Sequence, residues 1–168
     1  VQAAAAVINI GTTGASVTCS VSCQGFIGAG GADATTAPPS GIDPTGVGTL
    51  SNTLAQLYNG QPADEADERL RLSTLVGSDV GPGTKYDPPS NPFDSAAEYI
   101  VLKIGPYAVF IKNTSGGSQT YTYSDARMLG LSHYTEFGDA VIPLPAAAWL
   151  MLAGLGGLGF ASRRKKAA

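Results

Sequence analysis

Nucleophilic catalysis needs a base beside a hydroxyl or thiol, and His133 is the single histidine in the chain of 168 residues. Its neighbour Ser132 cannot complete a pair, because adjacent residues of a strand point to opposite faces. His133 therefore reads as a packed or hydrogen-bonded strand residue, and one histidine gives little basis for a transition-metal site. Asp64, Glu65, Asp67 and Glu68 form one run at a predicted helix start, the pattern of a solvated face and not of two carboxyl groups set across a glycosidic bond. No Asp-x-Asp-x-Asp loop exists for an EF-hand, and Asp33, Asp43, Asp79 and Asp87 are scattered over predicted loops, a weak basis for calcium. Gly28-Ala29-Gly30-Gly31 lacks both the full dinucleotide-binding spacing and a preceding parallel strand, so it reads as a turn. The expectation is a protein with no catalytic residues, no metal and no cofactor, hence not an enzyme.

Other residue sets have chemistry of a quieter kind. Cys19 and Cys23 lie four apart with no further Cys or His to make up a zinc set, and read either as a short-loop disulfide or as two buried thiols. A straight strand would hold the sulfurs too far apart, so a bridge requires a turn near Ser22 or Cys23. Tyr121, Tyr123 and Tyr134 suit either a sugar-stacking face or core packing, with core packing the commoner fate. Asn113-Thr114-Ser115 has the form of an N-glycosylation acceptor, a pattern short enough to arise by chance.

The formal charge is −3, but four of the ten basic residues are Arg163, Arg164, Lys165 and Lys166; without them six basic residues face thirteen acidic ones. An acidic body with no basic stripe excludes nucleic acid as a partner, since phosphate neutralisation dominates that affinity. With 22 Gly, 11 Pro and 14% charged residues, the composition calls for turns and short strands.

The elements follow from periodicity. Ala15, Val17, Cys19 and Val21 alternate with hydroxyl residues as a half-buried strand, and Val7 to Ile10 predicts another before the Gly11 to Gly14 turn. Residues 33–48, with three prolines, predict a long surface loop. Leu50, Leu54, Leu57 and Tyr58 recur at helical spacing behind a capping Thr49 or Ser51, which predicts a helix from Leu50 to Asn59. Pro62 opens a second helical start, after which Leu70, Leu72, Leu75 and Val76 fit either a continuing helix or a switch to a strand. Residues 77–93 read as an irregular connection. Glu98 to Ile104 and Tyr107 to Lys112, both dense in β-branched and aromatic residues, predict a hairpin whose Gly105-Pro106 link calls for a bulge or a wider turn. Two more strands are expected from Thr120 to Tyr123 and from Leu129 to Phe137. The predicted fold class is all-β or β-rich α+β: a small antiparallel sandwich of five or six strands with one or two short helices.

The C-terminal segment differs from all of this. Residues 140–162 carry no charge, and at ~1.5 Å per helical residue they can cross a hydrocarbon core of roughly 30 Å. The basic cluster Arg163 to Lys166 holds that end in the cytoplasm and sets the body outside. At the outer edge stands Ile142-Pro143-Leu144-Pro145-Ala146, whose two prolines enforce an extended peptide of the kind a processing enzyme recognises. Val1 to Ala6 reads as the small-residue end of a secretory signal peptide.

Motif, glycine-rich span and basic stop, in that order, resemble the PEP-CTERM class of sorting signals in the variant that reads Val-Pro-Leu-Pro-Ala, with Ile142 in place of the leading Val. The body is also similar to proteins of that group: Tyr99-Ile-Val-Leu-Lys-Ile-Gly leads to Ala108-Val-Phe-Ile and a closing Leu131-Ser-His-Tyr-Thr-Glu-Phe-Gly, and Cys23-Gln-Gly-Phe-Ile-Gly-Ala is similar to the domain's start. The resemblance implies a tail processed by an exosortase, an integral membrane protease-transpeptidase, in a Gram-negative bacterium that makes exopolysaccharide. The expected organisation is a signal-peptide remnant at 1–6, an extracellular β-rich domain at 7–139 and a sorting tail at 140–168. The expected function is that of a structural protein of the cell surface, extracellular matrix or biofilm, anchored in the inner membrane as a precursor. The alternative is a carbohydrate-binding module that retains exopolysaccharide.

Overall fold

The computed structural model describes residues 4–28, 42–125, 130–140 and 150–155. Twelve strands and one helix make up the body among these residues: β1 (Ala6–Ile10), β2 (Ala15–Cys19), β3 (Cys23–Ile27), β4 (Thr49–Ser51), β5 (Leu54–Ala55), β6 (Tyr58–Asn59), α1 (Glu65–Val76), β7 (Thr84–Tyr86), β8 (Phe93–Ser95), β9 (Ala97–Ile104), β10 (Tyr107–Asn113), β11 (Gln119–Ser124) and β12 (Leu131–Ala140). The smaller sheet runs β5-β1-β2-β11-β8, the larger β4-β3-β10-β9-β12-β7, with β6 also on β10. Every pairing is antiparallel except β1 with β5.

The molecule is layered as small sheet, large sheet and helix. Strand β9 shows why its sequence is an almost unbroken apolar run, because it is covered on both faces. Ile100, Leu102 and Ile104 point into the core between the sheets with Ile8, Val17, Val109 and Tyr121. Tyr99 and Val101 point the other way, to Phe110, Phe137 and the helix residues Leu72 and Leu75. An aromatic stack ties the two sheets at one end: Tyr86 on Tyr134, Tyr134 on Phe93 and Phe93 on Tyr121.

Helix α1 settles the alternatives after Pro62 in favour of a continuing helix. Asp64 caps it, accepting from the Asp67 amide at 2.9 Å, and Gly77 ends it at φ 85° with its amide donating to the Ser73 carbonyl. Such an N-cap contributes about 1 kcal/mol, and the left-handed C-terminal residue suits glycine.

The helix expected from Leu50 to Asn59 is absent, and the segment forms β4, β5 and β6 instead. Ser51, read as a helix cap, closes a tight turn: its Oγ accepts from the amides of Thr53 and Leu54. The chain then pairs in succession with β3, β1 and β10, so tertiary pairing overrides the helical spacing. The connection at 77–93 includes the edge strand β7 and ends in β8. Val21 also departs from expectation, being 36% exposed because β2 stops at Cys19. The hairpin needs neither a bulge nor a wider turn, for Tyr107 pairs directly with Ile104. Gly105 takes φ 52° and Pro106 keeps its own negative φ, the pair of signs that a II′ turn uses.

The outer faces of the two sheets differ in kind. The large sheet is covered by α1. On the small sheet no described element covers the outer face, where Asn9, Ser16, Thr18, Ser20, Thr120, Thr122, Ser124 and Asp94 alternate with the buried core residues. Among the described residues no helix is long and apolar enough to cross a membrane; residues 150–155 are helical and exposed.

Candidate functional site

The polar residues that the fold brings together lie beneath α1. Glu68, Leu72 and Leu75 share the helix face that meets the large sheet, at spacings of four and three. Opposite Glu68, strand β12 presents His133 and Thr135, two residues apart and hence on one face. The Glu68 carboxylate meets His133 Nε2 at 2.5 Å through Oε1 and accepts from Thr135 Oγ1 at 2.6 Å through Oε2. All three side chains are closed to solvent, at 1%, 2% and 0% exposure.

Lys103 of β9 pairs in register with His133 and is also buried. Its Nζ donates to the Gly105 carbonyl. Burial holds its ammonium below the ordinary lysine range, and the negative charge of Glu68 opposes that shift. Gly60 lies so close over this side chain that a Cβ there would stand 2.8 Å from Lys103 Cε. Arg71, one turn along the helix, donates to Asp43 and to the carbonyls of Gln61 and Pro62, so it ties the loop before α1 to the helix.

This is an arrangement for docking a helix. A carboxylate that uses both oxygens on an imidazole and a hydroxyl, without solvent access, holds α1 in register against β12 and presents nothing to a substrate. The neighbouring grooves are lined by other residues: one of about 570 Å³ lies along the exposed helix face by Ala66, Leu70 and Ser73, and one of about 440 Å³ lies by Val80, Pro82 and Tyr99.

The acidic run therefore does not form one solvated face as the sequence suggested. Asp64 caps, Glu65 accepts from the Gly83 amide at 2.6 Å, and Glu68 is buried. The described aspartates weighed for calcium face cations: Asp43 on Arg71, Asp87 at 4.0 Å from Lys85, and Asp79 on Arg69 in a two-point contact. That guanidinium, with the Gly81 amide second, holds the Asp79 carboxyl down at about 2. Among the described residues no group of His, Cys, Asp and Glu is placed to hold a metal ion; Asp33 lies outside them. Gly28 follows β3 and its amide donates to Gln56 Oε1; Ala29, Gly30 and Gly31 lie outside the described residues.

Cys19 and Cys23 are joined as a disulfide across the turn that carries the chain from the small sheet to the large one. Tyr121, Tyr123 and Tyr134 are all buried in the core between the sheets and offer no stacking face. Asn113 is 3% exposed and fully engaged, so its amide is not displayed as a glycosylation acceptor. The processing motif Ile142 to Ala146 and the basic cluster Arg163 to Lys166 lie outside the described residues.

The sequence contained a signal for the buried cluster. Glu68 falls on the apolar face of α1, Lys103 interrupts an apolar strand, and His133 and Thr135 sit at period two, but only the packing of α1 on β12 joins them.

Comparison with known protein families finds the PEP-CTERM protein-sorting motif at residues 141–165. That match takes in Ile142 to Ala146 and most of the basic cluster, and leaves the β-rich body outside it. Neither the comparison with curated proteins nor that with solved structures finds a match.

Proposed function

We propose that this chain, an exported protein carrying a PEP-CTERM, exosortase-type sorting signal, serves as a non-enzymatic structural component of the cell surface or extracellular matrix of a Gram-negative bacterium. Its precursor is held in the inner membrane by the uncharged segment 140–162, with Arg163 to Lys166 on the cytoplasmic side. An exosortase then processes the Ile142-Pro143-Leu144-Pro145-Ala146 segment and releases the body to the surface. The observation that carries this reading is the sorting motif at 141–165 directly after the last body strand, which ends at Ala140. Two features of the body support a structural role: the polar cluster of Glu68, His133 and Thr135 beneath α1 is closed to solvent, and a disulfide links the two sheets.

Deletion of Ile142 to Ala146 is the test. The expected outcome is full-length protein retained in the membrane fraction; a mature C-terminus by mass spectrometry identical to that of the unaltered protein would refute processing at this motif.

A second reading is a module that retains exopolysaccharide. The buried tyrosines no longer support it. The hydroxyl-rich outer face of the small sheet, over which no described element lies, does.

A further inference from the structure

The strands that bury Tyr121 and Tyr123 turn Thr120, Thr122 and Ser124 outward, and β2 beside them turns out Ser16, Thr18 and Ser20. Register sets these side chains in rows. Thr18 faces Thr122 and Ser16 faces Ser124, while on the far side of β2 Thr18 faces Val7 and Ser16 faces Asn9. Ser20 and Thr120 form a third row with Asp94 of β8, held by the Thr120 amide on Ser20 Oγ and by Thr120 Oγ1 on Asp94 at 2.5 Å. Neighbouring rungs are about 4.8 Å apart across the strands and roughly 6.8 Å apart along them. The hydroxyls of Ser16, Thr18, Thr122 and Ser124 hydrogen-bond no other described residue, and no described element lies over them.

We propose that this face, centred on Ser16, Thr18, Thr122 and Ser124, binds a neutral polysaccharide chain laid flat across β1, β2 and β11. The proposal rests on the second reading above and gives it a location and a ligand class. Three features select the occupant. The outward residues of β1, β2 and β11 named here carry no formal charge and Asp94 at the flank, the one charge named on this face, is engaged by Thr120, so a charged polymer finds no row of counter-charges, and the acidic body repels a polyanion. The face has no aromatic and one exposed large apolar residue, Val7, whereas the centre of a protein interface is enriched in aromatic and apolar anchors. A serine or threonine hydroxyl both donates and accepts, so a grid of them matches a partner lined with hydroxyls in either sense. Each contact exchanges one water hydrogen bond for another and gains little, so affinity comes from repetition along the chain and grows with glycan length.

The test is native affinity electrophoresis of the full chain in mild detergent, through gels containing a soluble cellulose ether, dextran or galactomannan, and a parallel gel containing polygalacturonate. The expected result is retardation by at least one neutral glycan and none by polygalacturonate. Thr18→Val with Thr122→Val, which keeps shape and β-branching, should weaken retardation at least fivefold, and Tyr86→Ala on the other sheet should leave it unchanged. Ser16→Ala with Ser124→Ala carries the same test should the first pair fail to fold. Retardation unchanged in a folded hydroxyl variant overturns this site and leaves glycan binding standing elsewhere on the body. No retardation of the unaltered chain by any neutral glycan overturns the site and the second reading together. A dimer in sedimentation that the variants abolish, without glycan retardation, makes the face an interface between copies and overturns the proposal.

Discussion

Glu68 of α1 and His133 of β12 are 65 positions apart in sequence and meet at 2.5 Å beneath the helix, each almost wholly withdrawn from solvent. A buried pair of this kind adds little over a well-packed apolar replacement, but losing one member strands the other. Glu68→Ala leaves His133, Thr135 and Lys103 facing a gap that a carboxylate filled, and should cost about 3–5 kcal/mol. Glu68→Leu with His133→Leu should cost clearly less than the sum of the two single changes, since the partners act as a unit. Urea unfolding of the four proteins measures this. Strictly additive losses would mean that the two side chains do not depend on each other.

The Cys19–Cys23 disulfide closes a very short loop, so its effect on the unfolded chain is modest. Chain-entropy reasoning for so few residues gives about 2 kcal/mol. Cys19→Ser with Cys23→Ser should lower stability by that order and leave the two-sheet fold intact. Denaturant midpoints with and without reductant check it: the unaltered protein should respond to reductant and the variant should not.

How much of this was legible in the sequence depended on whether local pattern and tertiary pairing agreed. They agreed in the Gly105-Pro106 hairpin, where β-branched density and a turn signal lie side by side, and in β2, where Ala15, Val17 and Cys19 alternate with hydroxyls. They conflicted from Leu50 to Asn59, where helical leucine spacing gave way to pairing with three distant strands that no local window contains. Glu68 was misread for a related reason. A carboxylate among three others looks solvated, and only His133 and Thr135, supplied by the last strand, make its burial tolerable. The period-two alternation around Tyr121 and Tyr123 was visible, but which face met solvent required the partner sheet.

Buried phenols give a directional pH dependence. Burial pushes Tyr58, Tyr99 and Tyr121 up from 10.0 to about 12. Folding thus favours the protonated phenols. Their contribution is complete below pH 10, the range of the unfolded chain, and is lost as pH rises toward 12, because the unfolded state releases protons the folded state retains. The body should keep its sheet signal to about pH 10, then unfold with a concerted rise in phenolate absorbance. A gradual phenolate titration from pH 10 with the circular dichroism unchanged would show the rings to be open to solvent.

Asn113 tests the reading of the sequon as architecture. Its Nδ2 donates to the carbonyls of Ala97 at 3.1 Å and Gly117 at 3.0 Å. Its Oδ1 accepts from the Ser115 amide and hydroxyl and from Gln119 Nε2. Gln119 in turn holds the amides of Val21 and Ser22 beside the disulfide turn. One buried amide therefore joins the end of β10, the start of β9 and the crossover between the sheets. Asn113→Ala removes both donor and acceptor and leaves several buried groups unpaired, at a cost of about 3 kcal/mol. Asn113→Asp keeps the acceptor but turns a carboxylate oxygen onto the carbonyls of Ala97 and Gly117 in a buried site, and should cost at least as much. Expressed in a glycosylating host, the folded protein should carry no glycan at Asn113 by intact mass. A stability within about 0.5 kcal/mol of the original for Asn113→Ala, or quantitative glycosylation without loss of fold, would show this side chain to be a displayed acceptor and not the joint between the sheets.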